Sequence, residues 1–324
     1  MRAATLALLL IACGDDDSGG GPRDARPIDA PGDAPGDVRR DAAGDAAVPI
    51  DAAGGNGGFT KPTAVLAAWS EPTPGTFTPE TLDLGCLGAA RNDPPTTVAV
   101  SLTVTVRDFQ SNNVVPSAQV AAFAGTNPAT PLSSGTTNGS GNVTLGIPTN
   151  QQRIGFLLTS ASSRPTYLFD HLLAPSTMSQ ARTLRSLSNA TAATLPALIG
   201  QTAMPNTAIV IATMRDCQGH TVSNFIATMS TTPSTTTHAM PASTFYFDES
   251  VGLPVRHSQA PHAKRNGIYM VIDVPPLATG YLQVWGFVTT SELNANLMTR
   301  IAEIALPVTL NAAILVEQEP RATN

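Results

Sequence analysis

The sequence contains few of the residues that carry enzyme chemistry or bind nucleic acid. Charged residues make up 13% and aromatic residues 5% of its 324 residues, and it has three cysteines and five histidines. It has no GxSxG nucleophile elbow, Walker loop, Rossmann glycine pattern or HExxH zinc motif. No apolar run follows the first dozen residues that is long enough to span a bilayer. We therefore expect no enzyme activity and no cofactor.

Charge is distributed unevenly along the chain. Residues 14–58 contain ten Asp and four Arg, whereas residues 59–324 hold 13 Lys and Arg against 14 Asp and Glu. The larger part is therefore close to neutral and offers no basic stripe for a nucleic acid. We expect no nucleic-acid partner.

The first residues have the pattern of an export signal. Arg2 carries one positive charge, and an apolar run of ten residues from Ala3 to Ala12 follows, too short to cross a bilayer. The sequence LIAC at Leu10–Cys13 resembles the lipobox of bacterial lipoproteins. The resemblance implies that residues 1–12 are removed and that Cys13 is lipidated on its sulfur and on the new amino group. The alternative is a buried N-terminal helix that contains a cysteine.

Lipidation would make the membrane a partner through a lipid anchor. Two or more acyl chains, at about 0.8 kcal/mol per buried CH₂, hold a protein stably at a membrane. In enteric lipoproteins an Asp directly after the lipidated cysteine retains the protein in the inner membrane, and here that position is Gly14. We expect a lipid anchor in the bacterial cell envelope, at the outer membrane.

Residues 13–58 are predicted to be a disordered tether. They contain no aromatic residue and too few apolar side chains to offset the entropy of ordering. Aspartates recur every four residues from Asp29 to Asp45, but the intervening prolines and glycines break helices, and the terminal Glu of a calcium loop is absent. A coil of this length spans about 35 to 40 Å.

The remaining residues read as a β protein. Val98–Val106 and Ile268–Val274 alternate with the period of half-buried strands, and turn clusters such as TNGSGN at 137–142 separate such runs. This pattern is typical of an antiparallel sandwich.

Two segments of the chain repeat one another. The sequence TVRD at Thr105–Asp108 corresponds to TMRD at Thr213–Asp216, an offset of 108 residues. The turn with Gly141 corresponds to the turn with Gly267, an offset of 126. The second copy therefore carries an insertion of about 18 residues, which we place within 230–263.

These landmarks resemble carboxypeptidase regulatory-like and transthyretin-like domains, and Asn224-Phe225 replaces the usual Gly-Ala pair in the second copy. The resemblance implies two tandem Greek-key sandwiches without catalytic apparatus. We expect a lead-in at 59–97, sandwiches at 98–175 and 207–324, and a linker at 176–206. The linker contains one short helix, or two broken turns, between Ser188 and Gly200.

Four residues of the repeat have predicted structural roles. Asp108 and Asp216 are expected to accept backbone N–H groups in the turn after the first strand of each copy. Gly141 and Gly267 are expected at turn positions with positive φ.

If Cys13 is lipidated, Cys86 and Cys217 are the two cysteines that remain. In an exported protein they are expected to form a disulfide, and the alternative is two separate thiols. His257 and His262, with Asp248 and Glu249 upstream, are a weak candidate for a metal site, and the default is an exposed polar insertion with no metal. His171 and His220 each stand alone beside a turn and are expected at the surface.

The sequence supports two hypotheses about function. The first is a non-enzymatic lipoprotein facing the surface or the periplasm, with a structural, adhesive or envelope-assembly role and an envelope protein as a candidate partner. The alternative is a carbohydrate-binding module with a glycan as its partner, which requires at least two aromatics on one exposed face. Of the two indoles, Trp69 and Trp285, the second lies in an alternating strand and is expected in the core.

Overall fold

The computed structural model describes residues 60, 62–89, 93–250 and 252–321. The predicted signal segment, Cys13 and the tether lie outside these described residues. Among the residues that are described, no helix is long and apolar enough to cross a membrane.

Strands dominate the described part of the chain. Those up to the linker are β1 (Ala67–Thr73), β2 (Thr76–Glu80), β3 (Val100–Asp108), β4 (Gln119–Ala124), β5 (Pro131–Thr136), β6 (Asn142–Ile147), β7 (Arg153–Ser160), β8 (Ser163–Leu172) and β9 (Ser179–Ser186). Helix α1 (Asn189–Leu198) follows. The later elements are β10 (Ala208–Met214), β11 (Thr221–Ser223), β12 (Phe225–Ser230), β13 (Ser243–Phe247), β14 (Pro254–Val255), β15 (Ile268–Val274), β16 (Leu277–Gly286), α2 (Thr290–Ala295), β17 (Thr299–Val308) and β18 (Ala313–Gln318).

The first sandwich is built from β3 to β9. The sheet β6-β3-β9 packs on the four strands β8-β7-β4-β5. Alternate residues of β3, from Val100 to Val106, are buried between the two sheets, as the period-2 pattern predicts. Strand β9 pairs in parallel with β3 along its whole length, from Ser101–Ser179 to Asp108–Ser186. The first sandwich therefore extends to Ser186, beyond the predicted end at residue 175.

The second sandwich packs the sheet β12-β16-β17 on the strands β14-β13-β15-β10-β18. Its core is larger than that of the first and includes Phe225, Tyr246 and Tyr269, whose rings meet edge to face. The prediction of an all-β fold with two tandem sandwiches is confirmed.

The two sandwiches share one sheet. Strand β18, near the end of the chain, pairs in parallel with β10 on one side and with β8 of the first sandwich on the other, which gives a sheet of nine strands. Ala122 and Leu168 face the core of the first sandwich, whereas their neighbours Phe123 and Phe169 enter the core of the second. The sheets β6-β3-β9 and β12-β16-β17 therefore lie on opposite faces of the nine-stranded sheet.

Helix α1 lies between the two copies, where a short helix is predicted. Ser188 is the N-cap and accepts a hydrogen bond from the Thr191 N–H, and Gly200 has a φ of 74° just after the helix. Pro196 lies within the last turn of one continuous helix rather than between two broken turns. Leu195 and Ile199 pack on Ile209 and other side chains of the nine-stranded sheet.

The repeat seen in the sequence is also a repeat of strand register. Val100 of β3 lies opposite Ile147 of β6, and Ala208 of β10 lies opposite Val274 of β15. The copies differ in the next strand: β5 pairs with β4 in the first, whereas β13 pairs with β15 in the second. The second sandwich therefore keeps the pairing of its first strand, with a register shift between Ala208 and Val210 that β3 lacks, and moves one strand to the other sheet.

The lead-in at 59–97 is predicted to be irregular, and this prediction is wrong for its first half. Strands β1 and β2 form a hairpin, and β1 pairs with β11 of the second sandwich. The alternation is obscured by Pro72, Pro74 and Pro79, so the sequence pattern does not reveal these strands.

Candidate functional site

Cys86 and Cys217 are joined by a disulfide with a Cα–Cα distance of 5.8 Å. The Cys86 N–H lies 3.0 Å from the Cys217 sulfur, and the Cys217 N–H donates to the Asp83 carbonyl at 2.9 Å. The bridge thus ties the lead-in to the turn that follows β10.

Asp216 is the centre of the same junction. Its carboxylate is buried and accepts hydrogen bonds from the N–H groups of Asp83, Gln218 and His220 at 3.1, 2.9 and 2.9 Å. The Nδ1 atom of His220 lies 3.2 Å from the second carboxylate oxygen. His220 is therefore not an isolated surface histidine, because its ring contacts this carboxylate.

Asp108 occupies the equivalent position in the first copy. It accepts the N–H groups of Ser111 and Gln110 at 2.8 and 3.2 Å, and the Ser111 hydroxyl at 2.9 Å. Burial acts to raise the pKa of Asp108, but the hydrogen bonds from Ser111, Ser188 and Gln110 hold it below its usual value. In both copies the aspartate fixes the turn after the first strand.

Gly141 and Gly267 have φ values of 74° and 64°. A Cβ atom would lie 2.9 Å from the Val106 carbonyl oxygen at Gly141 and 2.8 Å from the Met214 carbonyl oxygen at Gly267. Both turns therefore require glycine, for conformation and for space.

His257 and Glu249 of the candidate metal site have other partners. The Nε2 atom of His257 donates to the Thr244 carbonyl at 2.5 Å and its ring stacks on Phe245, while Glu249 binds Arg265 through both oxygens at 2.7 and 2.6 Å. The Nδ1 atom of His262 is buried without a hydrogen-bond partner. Within the described ranges, no group of three or more His, Cys, Asp or Glu is placed to hold a metal ion.

An arginine hub at the junction of the two sandwiches was missed by the sequence reasoning. The guanidinium of Arg153 contacts Asp93 at 2.7 Å, Asp170 at 3.4 Å and Glu319 at 3.2 Å. These carboxylates come from the lead-in, from β8 and from the residue after β18. A polar cleft of about 410 Å³ opens beside the hub and is lined in part by Ile304 of β17.

His171, expected at the surface, is half-buried. It lies opposite Ile154 on β7, and its ring meets Phe156 edge to face at 5.4 Å. Burial lowers the pKa of His171 to about 4, with Arg182 and Arg153 acting in the same direction and Glu317 opposing them. The histidine is therefore neutral at pH 7.

The aromatic residues of the described part are half-buried or buried. Trp69 and Phe77 flank the guanidinium of Arg265, each ring centroid 5.4 Å from it, and Trp69 Nε1 donates to Ser223. Trp285 was expected in the core, and this is wrong. Its neighbours Leu282 and Val284 face the core, whereas Trp285 lies on the outer face of β16 with Tyr281.

A segment that we call the strap, residues 231–239, crosses this outer face. The amide of Gln283 accepts from the Thr235 N–H at 3.0 Å and donates to the Thr232 carbonyl at 3.1 Å. Glu303 accepts the Ser234 N–H at 3.1 Å. The strap therefore covers the outer face of β16 between Tyr281 and Trp285.

No family model matches the chain, and no curated protein matches it either. Among solved structures, it is similar to the Bacillus anthracis TIE protein at 11% identity and a TM-score of 0.23, covering 68% of this chain and 34% of that one. This chain thus spans about a third of that protein's length.

Two pilins are also similar. The shaft pilin SpaA from Lactobacillus rhamnosus GG has 12% identity and a TM-score of 0.21, with 70% of this chain and 100% of the pilin covered. A streptococcal ancillary pilin has 9% identity and a TM-score of 0.19, with 68% and 69% covered. Because all three scores are below 0.5, the architecture described above rests on the strand pairing of this chain alone.

Proposed function

We propose that this protein is a lipid-anchored, non-enzymatic module of the bacterial cell envelope, whose two fused sandwiches serve structural, adhesive or assembly contacts. The observation that carries the proposal is the shared sheet, in which β18 joins β10 and β8. Because β18 is hydrogen-bonded to a strand of each half, the two halves share one sheet, and we expect the body to be rigid.

Two further contacts support a rigid body. The disulfide between Cys86 and Cys217 holds the lead-in on the second sandwich. Arg153 holds the lead-in, the first sandwich and the end of β18 together through three carboxylates. Ion pairs that are only partly exposed and shared among several carboxylates contribute more than isolated surface pairs.

The anchor is argued from the lipobox at Leu10–Cys13 and from the acidic tether behind it. Lipidation of Cys13 would hold the body at the membrane, and Gly14 after the cysteine favours the outer membrane. The repeat landmarks Asp108, Gly141, Asp216 and Gly267 support a relationship with carboxypeptidase regulatory-like and transthyretin-like domains.

The alternative is a carbohydrate-binding module. It has one observation in its favour, the pair of rings formed by Trp69 and Phe77, and one against it, because Arg265 already lies over both of them. A glycan array and a pull-down from envelope extract, run with the same purified protein, separate the two functions. Selective capture of an envelope protein supports the structural role, whereas binding of a glycan class that Trp69→Ala abolishes overturns it.

A further inference from the structure

The strap is held almost entirely by hydrogen bonds. Its sequence, TTPSTTTHA, has no large apolar side chain, and Thr231, Thr232, Pro233 and Ser234 are exposed. Burial of apolar area therefore contributes little to holding residues 231–237 in place. Its attachments to Gln283 and Glu303 on the outer face are described above.

The end of the strap is anchored to the edge of β12. Ala239 donates its N–H to the Met229 carbonyl at 2.6 Å, and the Met229 N–H donates to Nδ1 of His238 at 3.2 Å. A histidine ring nitrogen thus takes the place of the backbone carbonyl that a neighbouring strand would supply. Strand β12 is at the edge of its sheet, with β16 on one side only. The backbone N–H and carbonyl of Met229 that bind the strap lie on the open side.

The hydrogen-bond pattern fixes the protonation state of His238. Since Nδ1 accepts a hydrogen bond, it carries no proton, and the proton must lie on Nε2. Nε2 is 3.4 Å from the Thr244 hydroxyl, which donates its own hydrogen to the Ala227 carbonyl at 2.8 Å. The closed strap therefore requires a neutral His238.

The charged and titratable side chains around His238 do not favour a positive charge on it. His257, which follows β14, acts on it as a like charge, and the Nε2 atom of His257 bonds to the carbonyl of the same Thr244. On the sheet beneath the strap, Arg300 and Glu303 of β17 pair with each other at 2.8 Å. Arg300 and Glu303 thus form an ion pair with each other, and both also form a hydrogen bond with Ser234.

We propose that the strap is an acid-released latch. Protonation of His238 places an N–H against the Met229 N–H, removes this hydrogen bond from the anchor on β12, and so weakens the hold of the strap on the outer face of β16 until it leaves. Release uncovers the open edge of β12 and the surface between Tyr281 and Trp285. The latch belongs to the insertion that distinguishes the second copy from the first, and it does not depend on lipid anchoring.

The pKa of His238 gives the direction and the pH range. Burial lowers the pKa of His238 from its ordinary value of 6.5 to about 4, with His257 acting in the same direction and the backbone hydrogen bond with Met229 opposing them. The released strap binds the proton more tightly than the closed strap does, so opening becomes more favourable as the pH falls from about 6.5 to 4. In this window, linkage predicts that opening increases by about tenfold per pH unit, or roughly 300-fold in total.

The test is hydrogen exchange of the purified full-length protein, followed by mass spectrometry between pH 7 and pH 4. The protection factors of the strap peptide should fall about tenfold for each unit by which the pH is lowered, while those of the β10 peptide should stay the same. In His238→Asn, the amide oxygen accepts the Met229 N–H without titrating, so the strap should stay closed throughout. His262→Asn is the matched control and should open like the unmodified protein.

A strap whose protection does not change with pH would overturn the proposal, as would a His238→Asn strap that opens with the same slope. If His238→Asn does not fold, the ring of His238 is titrated by NMR in the unmodified protein. The latch requires that the imidazole titration and the loss of strap protection share one midpoint, and two separate midpoints would contradict it.

Discussion

Thr166 of β8 lies directly opposite Ala313 of β18, the first of four parallel pairs that join the two sandwiches. The pairing continues through Tyr167, Leu168 and Phe169, so the last strand of the chain completes a sheet that begins in the first copy. The C-terminal strand is therefore required by both sandwiches.

This relationship predicts that damage to β18 destabilises both halves together. Val316→Pro removes the N–H of a residue paired with Ala212 on β10 and Phe169 on β8, and should cost about 3 kcal/mol or more. Urea unfolding should show one transition for both halves, shifted to lower denaturant. Leu310→Ala, at an exposed turn residue, is the control and should change little. Two separate transitions, with the first sandwich unaffected, would contradict the shared sheet.

The disulfide is predicted to set much of the body's stability. Mass spectrometry of unreduced protein should recover a peptide that links Cys86 to Cys217, which are 131 residues apart. Reduction should lower the thermal midpoint, because a loop of this length regains about 4 to 5 kcal/mol of unfolded-state entropy in the chain-entropy model. Alkylation of both thiols in the native, unreduced protein would show that the bond is absent.

The lowered pKa of His171 predicts that the protein loses stability in acid. Its pKa is about 4 in the folded protein against an ordinary value of 6.5, so below pH 6.5 the unfolded chain takes up a proton that the folded protein does not. The free energy of unfolding should therefore fall between pH 6.5 and 4, with His171 contributing at most about 3 kcal/mol of the loss. Urea midpoints measured at several pH values check this. His171→Gln should make the profile shallower, while the loss due to His238 remains, and an unchanged profile would show that His171 is not a cause.

The sequence predicts local features of this fold well. Asp108, Asp216, Gly141 and Gly267 have roles set within a few residues, by hydrogen bonds to a nearby turn or by a positive φ, and such roles leave a mark on the sequence. The alternation of β3 likewise reflects burial on one side of the strand.

Features that depend on distant parts of the chain were missed. The pairing of β18 with β8, the pairing of β1 with β11 and the ion pair of Arg153 with Glu319 join residues more than a hundred positions apart, and no local pattern records such a pairing. Trp285 was assigned to the core because a strand's alternation reveals two faces without saying which one is inward. His238 was not singled out, since its role rests on a bond to Met229 across a turn.

The central claim is that this body is held to the membrane through Cys13, and metabolic labelling with radioactive palmitate in a bacterial host tests it most directly. The unmodified chain should carry label and sediment with membranes, and Cys13→Ser should lose both properties. A double Cys86→Ser, Cys217→Ser variant keeps Cys13 and should still be labelled. An unlabelled wild-type protein, or a Cys13→Ser variant that is equally membrane-bound, would contradict the account.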